Sequence, residues 1–318
     1  MEKNKLIIKH LIKKRENNIK FFPIKYNEPS TKDMAIILVY YNPNKSNRII
    51  QNILMVKNSL ESSNIPFYII ELTFNDDPYL FNKMSNIYQY RSDSYMFYKE
   101  NLIYTLLPFL PDTITKICTL DADIMFDNPN WYKSISDTLD TYNVCQPFNL
   151  AHRLNIDFTI NSTSYSCIDK QNNSTGFAWA FKKDWFIKNG YFEYAIIGGG
   201  DGLFYSYITS NNKKSYYSNI FQNAYTEYIN SREQLPPVCS VDLTIYHLYH
   251  GSLINRQYDT RHPLFNTKIN SLKLNHISEL LIRRDDNILE WNPKYKDEMN
   301  SFMLTYFTNR ADDSVEKY

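Results

Sequence analysis

The order strand, helix, strand over residues 35–72 constrains this chain more than any other feature. Ala35-Ile36-Ile37-Leu38-Val39-Tyr40 is an uninterrupted apolar run, the pattern of a strand covered on both faces. Turn chemistry at Tyr41-Asn42-Pro43-Asn44 ends it. Residues 48–62 then place Ile49, Ile50, Ile53, Leu54, Val56 and Leu60 at helical spacing. Pro66 leads into a second apolar run, Phe67-Tyr68-Ile69-Ile70-Glu71-Leu72. A crossover helix between two strands makes them parallel, so the chain is expected to be α/β with a parallel sheet.

The rest of the pattern extends that sheet. A helix is expected at about 95–107, stopped by Pro108, then a strand Ile114–Leu120 that runs into Asp121. Val144–Phe148 and Gly176–Phe181 read as further strands, with a helix from about 183 and a short one over Gly202–Tyr207. The polar, Asn/Ser-rich stretch 155–175 reads as a flexible loop. Val241–His250 reads as a late strand, and 275–309 as helical and irregular. No internal repeat appears. The expected division is a basic helical N-terminal extension over 1–31, a main domain over 32–265, and a C-terminal helical segment over 266–318 packed on it.

Composition narrows the function classes. Net charge is +1, so no global field selects nucleic acid. No apolar run is long enough to span a bilayer, and no secretory leader pattern is visible. Leu6, Ile8, Leu11 and Ile12 form one face of a basic helix, expected to pack on the main domain. A weak peripheral membrane association is the alternative use of that face. The four cysteines are too widely spaced for a zinc or disulfide framework and read as reduced thiols, which fits a cytoplasmic location, the host's if the source is viral. The 27 Tyr and 19 Phe accompany abundant Asn, Lys and Ile, all from A/T-rich codons, so aromatic content is no sign of sugar stacking.

Three segments carry chemistry. In Leu120-Asp121-Ala122-Asp123 a buried strand delivers two carboxylates to the carboxyl edge of the sheet, where open α/β sheets bind ligands. Hard oxygen donors there suit manganese or magnesium bridging a diphosphate. In Ile196-Ile197-Gly198-Gly199-Gly200-Asp201, three of the chain's 7 glycines are consecutive. Gly199 and Gly200 permit close approach of an acceptor, and Asp201 is placed as a general base. In His247-Leu248-Tyr249-His250-Gly251-Ser252, histidines three apart on a strand face opposite ways unless a turn intervenes. His250 is the favoured metal ligand beside Asp121 and Asp123, and His247 the second. On the donor side we place Tyr40, Tyr41, Asn42, Arg91, Lys99, Asp121, Ala122, Asp123 and Arg256, with Arg261 as a further phosphate-neutralising cation. Trp179 is placed on the acceptor wall.

The ordered set resembles a GT-A glycosyltransferase family of bacteria and large DNA viruses. It comprises Tyr98-Lys99-Glu100-Asn101-Leu102, Leu120-Asp121-Ala122-Asp123-Ile124-Met125-Phe126 with Trp131, Gln146-Pro147-Phe148, Gly176-Phe177-Ala178-Trp179-Ala180, Gly198-Gly199-Gly200-Asp201, and His247 to Ser252 with Arg256, Tyr258 and Arg261. The glycine-rich segment and the late histidine are also similar to the β-1,4-galactosyltransferase arrangement. The resemblance implies a GT-A fold, a Rossmann-like half merged with an acceptor-binding half. It implies a nucleoside diphosphate sugar donor, usually a UDP-sugar, and Mn2+. Asp123 would ligate the metal, Asp121 would contact ribose or a metal-bound water, and a hexosyl group would pass with inversion to a glycan, glycoprotein or glycolipid acceptor. The alternatives are a sugar-nucleotide nucleotidyltransferase and an inactive glycan-binding protein on the same fold. The loop Tyr41 to Arg48 contains no glycine, which disfavours the first.

Overall fold

The computed structural model describes residues 24–170, 173–209, 218–232, 235 and 237–315. The expected helix face Leu6–Ile12 lies outside them. The first half contains β1 (Met34–Tyr41), α1 (Asn47–Ser62), β2 (Phe67–Phe74), β3 (Ile87–Ser92), α2 (Lys99–Leu106), β4 (Lys116–Leu120), β5 (Ile124–Phe126), α3 (Trp131–Thr141) and β6 (Val144–Gln146). The second contains β7 (Leu150–Leu154), β8 (Ile160–Tyr165), β9 (Ala178–Lys182), α4 (Lys183–Asn189), α5 (Gly200–Ile208), α6 (Asn219–Asn230), β10 (Val238–Ser240), β11 (Thr244–His247), α7 (Arg261–Ser271), β12 (Leu281–Arg283), β13 (Leu289–Trp291) and α8 (Lys296–Asn309).

The central sheet has seven strands in the order β10-β6-β9-β4-β1-β2-β3. β3, β2, β1 and β4 are mutually parallel, and β9 runs antiparallel between β4 and β6. The chain is therefore α/β with a mixed central sheet, as expected. From β1 the chain moves to β2 on one side, while β4 is added on the other. The carboxyl ends of β1 and β4 thus flank a switch point, where such sheets leave a crevice.

Alternation along β1 sorts its side chains between two cores. Ala35 and Ile37 pack with Trp179, Phe181 and Phe204 on one face, while Met34, Ile36, Leu38 and Tyr40 pack with Trp131 and Ile135 on the other. Residues before Lys32 also pack on this body. Tyr26 is buried edge-on against Trp131 and bonds the Phe126 carbonyl.

Two expectations for irregular segments are corrected. Within 155–175, Ile160–Tyr165 is a strand, paired antiparallel to β7 in a second sheet, β5-β11-β7-β8. Apart from Ile160 and Tyr165 its side chains are small and polar, and most are exposed, so backbone pairing holds it and no apolar run announces it. Within 275–309, β12 and β13 form a two-stranded antiparallel ribbon ahead of α8. Cys118, Cys145, Cys167 and Cys239 are free thiols. Among the described residues no helix is long and apolar enough to cross a membrane.

Candidate functional site

A cavity of about 690 Å³ opens at the switch point, within the range of small-molecule sites. Its floor follows from the phase of β1. Ile37, Val39 and Tyr41 line it, and Thr119 to Asp123 extend it at the end of β4. Tyr40, one residue out of phase, turns to the opposite core and packs edge-on against Phe81. Its expected place beside a donor base is corrected accordingly. Asn42 is also absent from the lining; its Oδ1 accepts the Ser46 N–H, and it organises the turn that starts α1.

Asp121 follows the last residue of β4. Its Oδ2 accepts the Phe177 N–H at 3.2 Å and its Oδ1 receives the Lys99 ammonium at 2.7 Å. Lys99 is the first residue of α2, an end where the helix dipole disfavours a cation. Two carboxylates offset this, because the same ammonium lies 3.1 and 3.0 Å from Asp201 Oδ1 and Oδ2. Burial pushes the Asp121 carboxyl up to about 6 against the pull of Lys99. Burial lowers the Lys99 ammonium, but Asp121 and Asp201 more than reverse it and hold it well above its ordinary value.

Asp201 sits in the first turn of α5, where a carboxylate complements the dipole. The N-cap is Gly199, with φ +88°, and Gly198 precedes it at +79°, a left-handed pair that glycine accommodates without strain. Both line the cavity. Gly200 does not. A Cβ there would overlap the Glu100 carboxylate, so this glycine is required by packing against α2 rather than by space for an acceptor.

The third group forms through sheet pairing. β11 runs antiparallel to β5 with Ile124 opposite His247, and Leu248 N–H bonds the Asp123 carbonyl at 2.8 Å. The strand ends at His247, and the turn beyond it swings His250 back, leaving the two imidazole centroids 5.1 Å apart. The early strand end supplies the turn that brings both imidazoles to one side. Asp123 Oδ2 lies 2.8 Å from His250 Nε2 and 3.6 Å from His247 Nε2. One donor atom from each residue falls within 4.8 Å of the others, an arrangement able to hold a metal ion. Asp121 is not in that group.

The chemistry of this donor set fits a divalent cation. Asp123 Oδ1 is buried with no hydrogen-bond partner, an orphaned acceptor. Burial raises the Asp123 carboxyl, but His247 and His250 override it and hold it well below the usual range. Burial also drives His247 well below its ordinary value, against the opposing pull of Asp123. His250 Nε2 faces both the Arg256 Nη2 donor at 2.7 Å and the Asp123 carboxylate at 2.8 Å.

Four guanidinium groups, of Arg153, Arg256, Arg261 and Arg310, line the same cavity. Arg256 is buried, and its Nη1 reaches Tyr258 Oη at 3.4 Å. Arg261 and Arg310 each lie 5.7 Å from the Phe97 ring, and Arg153 lies 5.0 Å from Phe177. Arg153, Arg310 and Asp312 line the cavity without having been anticipated. Nothing in their local sequence marks them, since β7 is short and the C-terminal residues read as an ordinary charged end. Two more expected site residues lie elsewhere. Trp179 is fully buried, with its Nε1 donating to the Thr175 carbonyl and its ring against Phe204, because β9 is an interior strand whose odd residues face α5. Arg91 donates to the Asn75 and Asp77 carbonyls and covers Tyr79, which ties down the loop after β2.

The chain matches no family model and no curated protein. Solved structures resemble it at low identity. One is a Drosophila β-1,4-galactosyltransferase 7 variant in complex with manganese, UDP-Gal and xylobiose, 15% identical over 56% of this chain, with a TM-score of 0.33. The match spans 61% of that protein's length. Another is a mannosyltransferase from Pyrobaculum calidifontis in complex with GDP-Man and Mn2+, 10% identical over 96% of this chain and 81% of that one, TM-score 0.41. A third is a glucose-1-phosphate thymidylyltransferase from Bacillus anthracis, 10% identical over 73% of this chain and 95% of that one, TM-score 0.33.

Proposed function

We propose that the chain is a glycosyltransferase that moves a sugar from a nucleoside diphosphate donor, a UDP-sugar in the first instance, to an acceptor hydroxyl with inversion. One observation carries the reading. A single cavity at the switch point joins the Asp123, His247 and His250 triad to a separate carboxylate, Asp201, held by Lys99. Displacement of a diphosphate needs positive charge at the leaving group and a base across the reacting carbon, and these two groups are distinct here.

Asp123, His247 and His250 would hold Mn2+ or Mg2+, which when bound supplies Lewis-acid stabilisation of the departing diphosphate. Arg256, 2.7 Å from His250 Nε2, adds fixed positive charge beside the triad, and Arg261 lines the same cavity next to Gly198. Tyr41 and Ala122 border the floor on which the nucleoside rests. Lys99 holds the Asp201 carboxylate at the cavity wall, where it would accept the acceptor hydroxyl proton. The acceptor is expected to be a glycan, free or carried on protein or lipid.

The test is a panel of nucleotide sugars incubated with the full chain and Mn2+, with nucleoside diphosphate and pyrophosphate both measured. Release of nucleoside diphosphate that needs Mn2+ and vanishes in Asp123→Ala supports the reading. Pyrophosphate release from a nucleoside triphosphate and a sugar phosphate would replace it with nucleotidyl transfer. Absence of both reactions, together with sugar binding, would leave a binding protein.

A further inference from the structure

We infer that the C-terminal segment Arg310–Ser314 is a built part of the metal cluster and that Asp312 is the positioning residue of His250. The inference rests on the reading of Asp123, His247 and His250 as a metal site.

Asp312 is only 2% exposed, and its Oδ1 lies 3.3 Å from His250 Nδ1. The other oxygen accepts Asn44 Nδ2 at 2.9 Å, and Arg310 Nη2 approaches Oδ1 at 3.2 Å. An imidazole offers a bare Nε2 to a cation only when its single proton is on Nδ1, and a carboxylate accepting that proton fixes both tautomer and ring orientation. Arg256 Nη2, 2.7 Å from Nε2, is a donor and favours the same tautomer, whereas the Asp123 carboxylate, 2.8 Å from that nitrogen, draws the proton to Nε2 until a cation stands between them.

The segment is fastened on both sides of Asp312. Asp313 Oδ1 accepts Ser46 Oγ at 2.6 Å and the Arg48 N–H at 2.8 Å, and its Oδ2 accepts the Asn47 N–H at 3.0 Å. These bonds dock a carboxylate on the start of α1, a favourable end for it. Tyr249 Oη donates to the Ser314 carbonyl at 2.9 Å. Gly251, at φ +84°, lies so close that a Cβ would stand 2.8 Å from the Ala311 carbonyl oxygen. The turn carrying His250 and the strap that orients it are therefore fitted to each other.

The experiment titrates Mn2+ alone into the full chain by calorimetry and reads the His250 tautomer by 15N NMR of the metal-free protein. Asp312→Ala is expected to weaken Mn2+ binding about 10- to 100-fold and to move the His250 proton from Nδ1 toward Nε2. Asp312→Asn keeps an acceptor oxygen and the shape of the side chain; it is expected to recover most of the affinity while folding as the parent does. Wild-type Mn2+ affinity in Asp312→Ala, or a His250 tautomer ratio that Asp312→Ala leaves unchanged, would overturn the assignment. If the parent binds no Mn2+, the metal reading itself falls. The tautomer measurement then still decides whether Asp312 sets His250.

Discussion

The Lys99 ammonium lies 3.0 Å from Asp201 Oδ2, so the carboxylate proposed as base is held by an ion pair inside the cavity. The same ammonium binds Asp121 at 2.7 Å. Lys99→Met keeps the aliphatic stem and leaves two half-buried carboxylates facing one another. A loss on the order of 3 kcal/mol is expected in urea denaturation. Adding Asp201→Asn should recover part of it, because one of the two repelling charges is gone. Equal stability of Lys99→Met and the parent would show that solvent already screens the pair.

Asp201→Asn tests the base directly. Its shape and its place at the start of α5 are retained, and proton acceptance is lost. Turnover is expected to fall by about 10²- to 10⁴-fold, while the donor dissociation constant, measured calorimetrically, stays near that of the parent. A parallel loss of donor affinity would move Asp201 from base to binding group.

Much of this was legible in the sequence because burial on both faces of a parallel strand leaves an apolar run. β1, β2 and β4 announce themselves, and so do the acids that end β4. What was hidden depends on partners distant in sequence. β8 pairs with β7 through its backbone and carries mostly polar, mostly exposed side chains. The meeting of His247, His250 and Asp123 follows from where β11 stops, a boundary that pairing with β5 sets. Tyr40 and Tyr41 could have been told apart, since Ile37, Val39 and Tyr41 share one phase of the strand. No such signal marks Asp312, whose role comes from a strap packed against residues about sixty positions earlier in the chain.

Glu100 supplies a pH dependence. Burial pushes its carboxyl from an ordinary 4.5 up to about 8, against the pull of Lys99. The folded state therefore keeps a proton that the unfolded chain releases above pH 4.5. This contribution is fully present below 4.5 and is lost as pH rises through about 8. Glu100→Gln carries no such proton. The stability of the parent relative to Glu100→Gln should be flat below pH 4.5 and then fall by as much as about 1.4 kcal/mol per pH unit toward pH 8. Denaturant titrations of both proteins at matched pH read this difference, and a flat difference across pH 5–8 would show that Glu100 is ionised in the fold.

The triad predicts which substitutions abolish a response to metal. A ligand that binds only the folded state stabilises it by about 2.7 kcal/mol at a hundredfold excess over its dissociation constant. Mn2+ is expected to raise the melting temperature of the parent and of Asp121→Asn, since Asp121 is paired with Lys99 outside the cluster. Asp123→Ala, His247→Ala and His250→Ala should not respond. If Asp121→Asn also fails to respond while its melting temperature without metal is unchanged, Asp121 belongs to the ligand set.

Gly200 and Glu100 make a final, purely steric prediction. A methyl group at Gly200 would overlap the Glu100 carboxylate, and both residues are buried between α2 and α5. The backbone at Gly200 is not in the left-handed region that Gly198 and Gly199 occupy, so strain in φ contributes nothing. Gly200→Ala should therefore cost about 1–3 kcal/mol through overpacking alone. Shortening Glu100 to Ala removes the obstacle, and in the double variant the cost of the Gly200 change should largely vanish. The double-mutant cycle, measured by chemical denaturation, gives the coupling. Additive costs would mean that the glycine is needed for a reason other than its contact with Glu100. Coupling would place the origin of the third glycine in helix packing, beside two glycines whose left-handed turn presents Asp201 to the cavity.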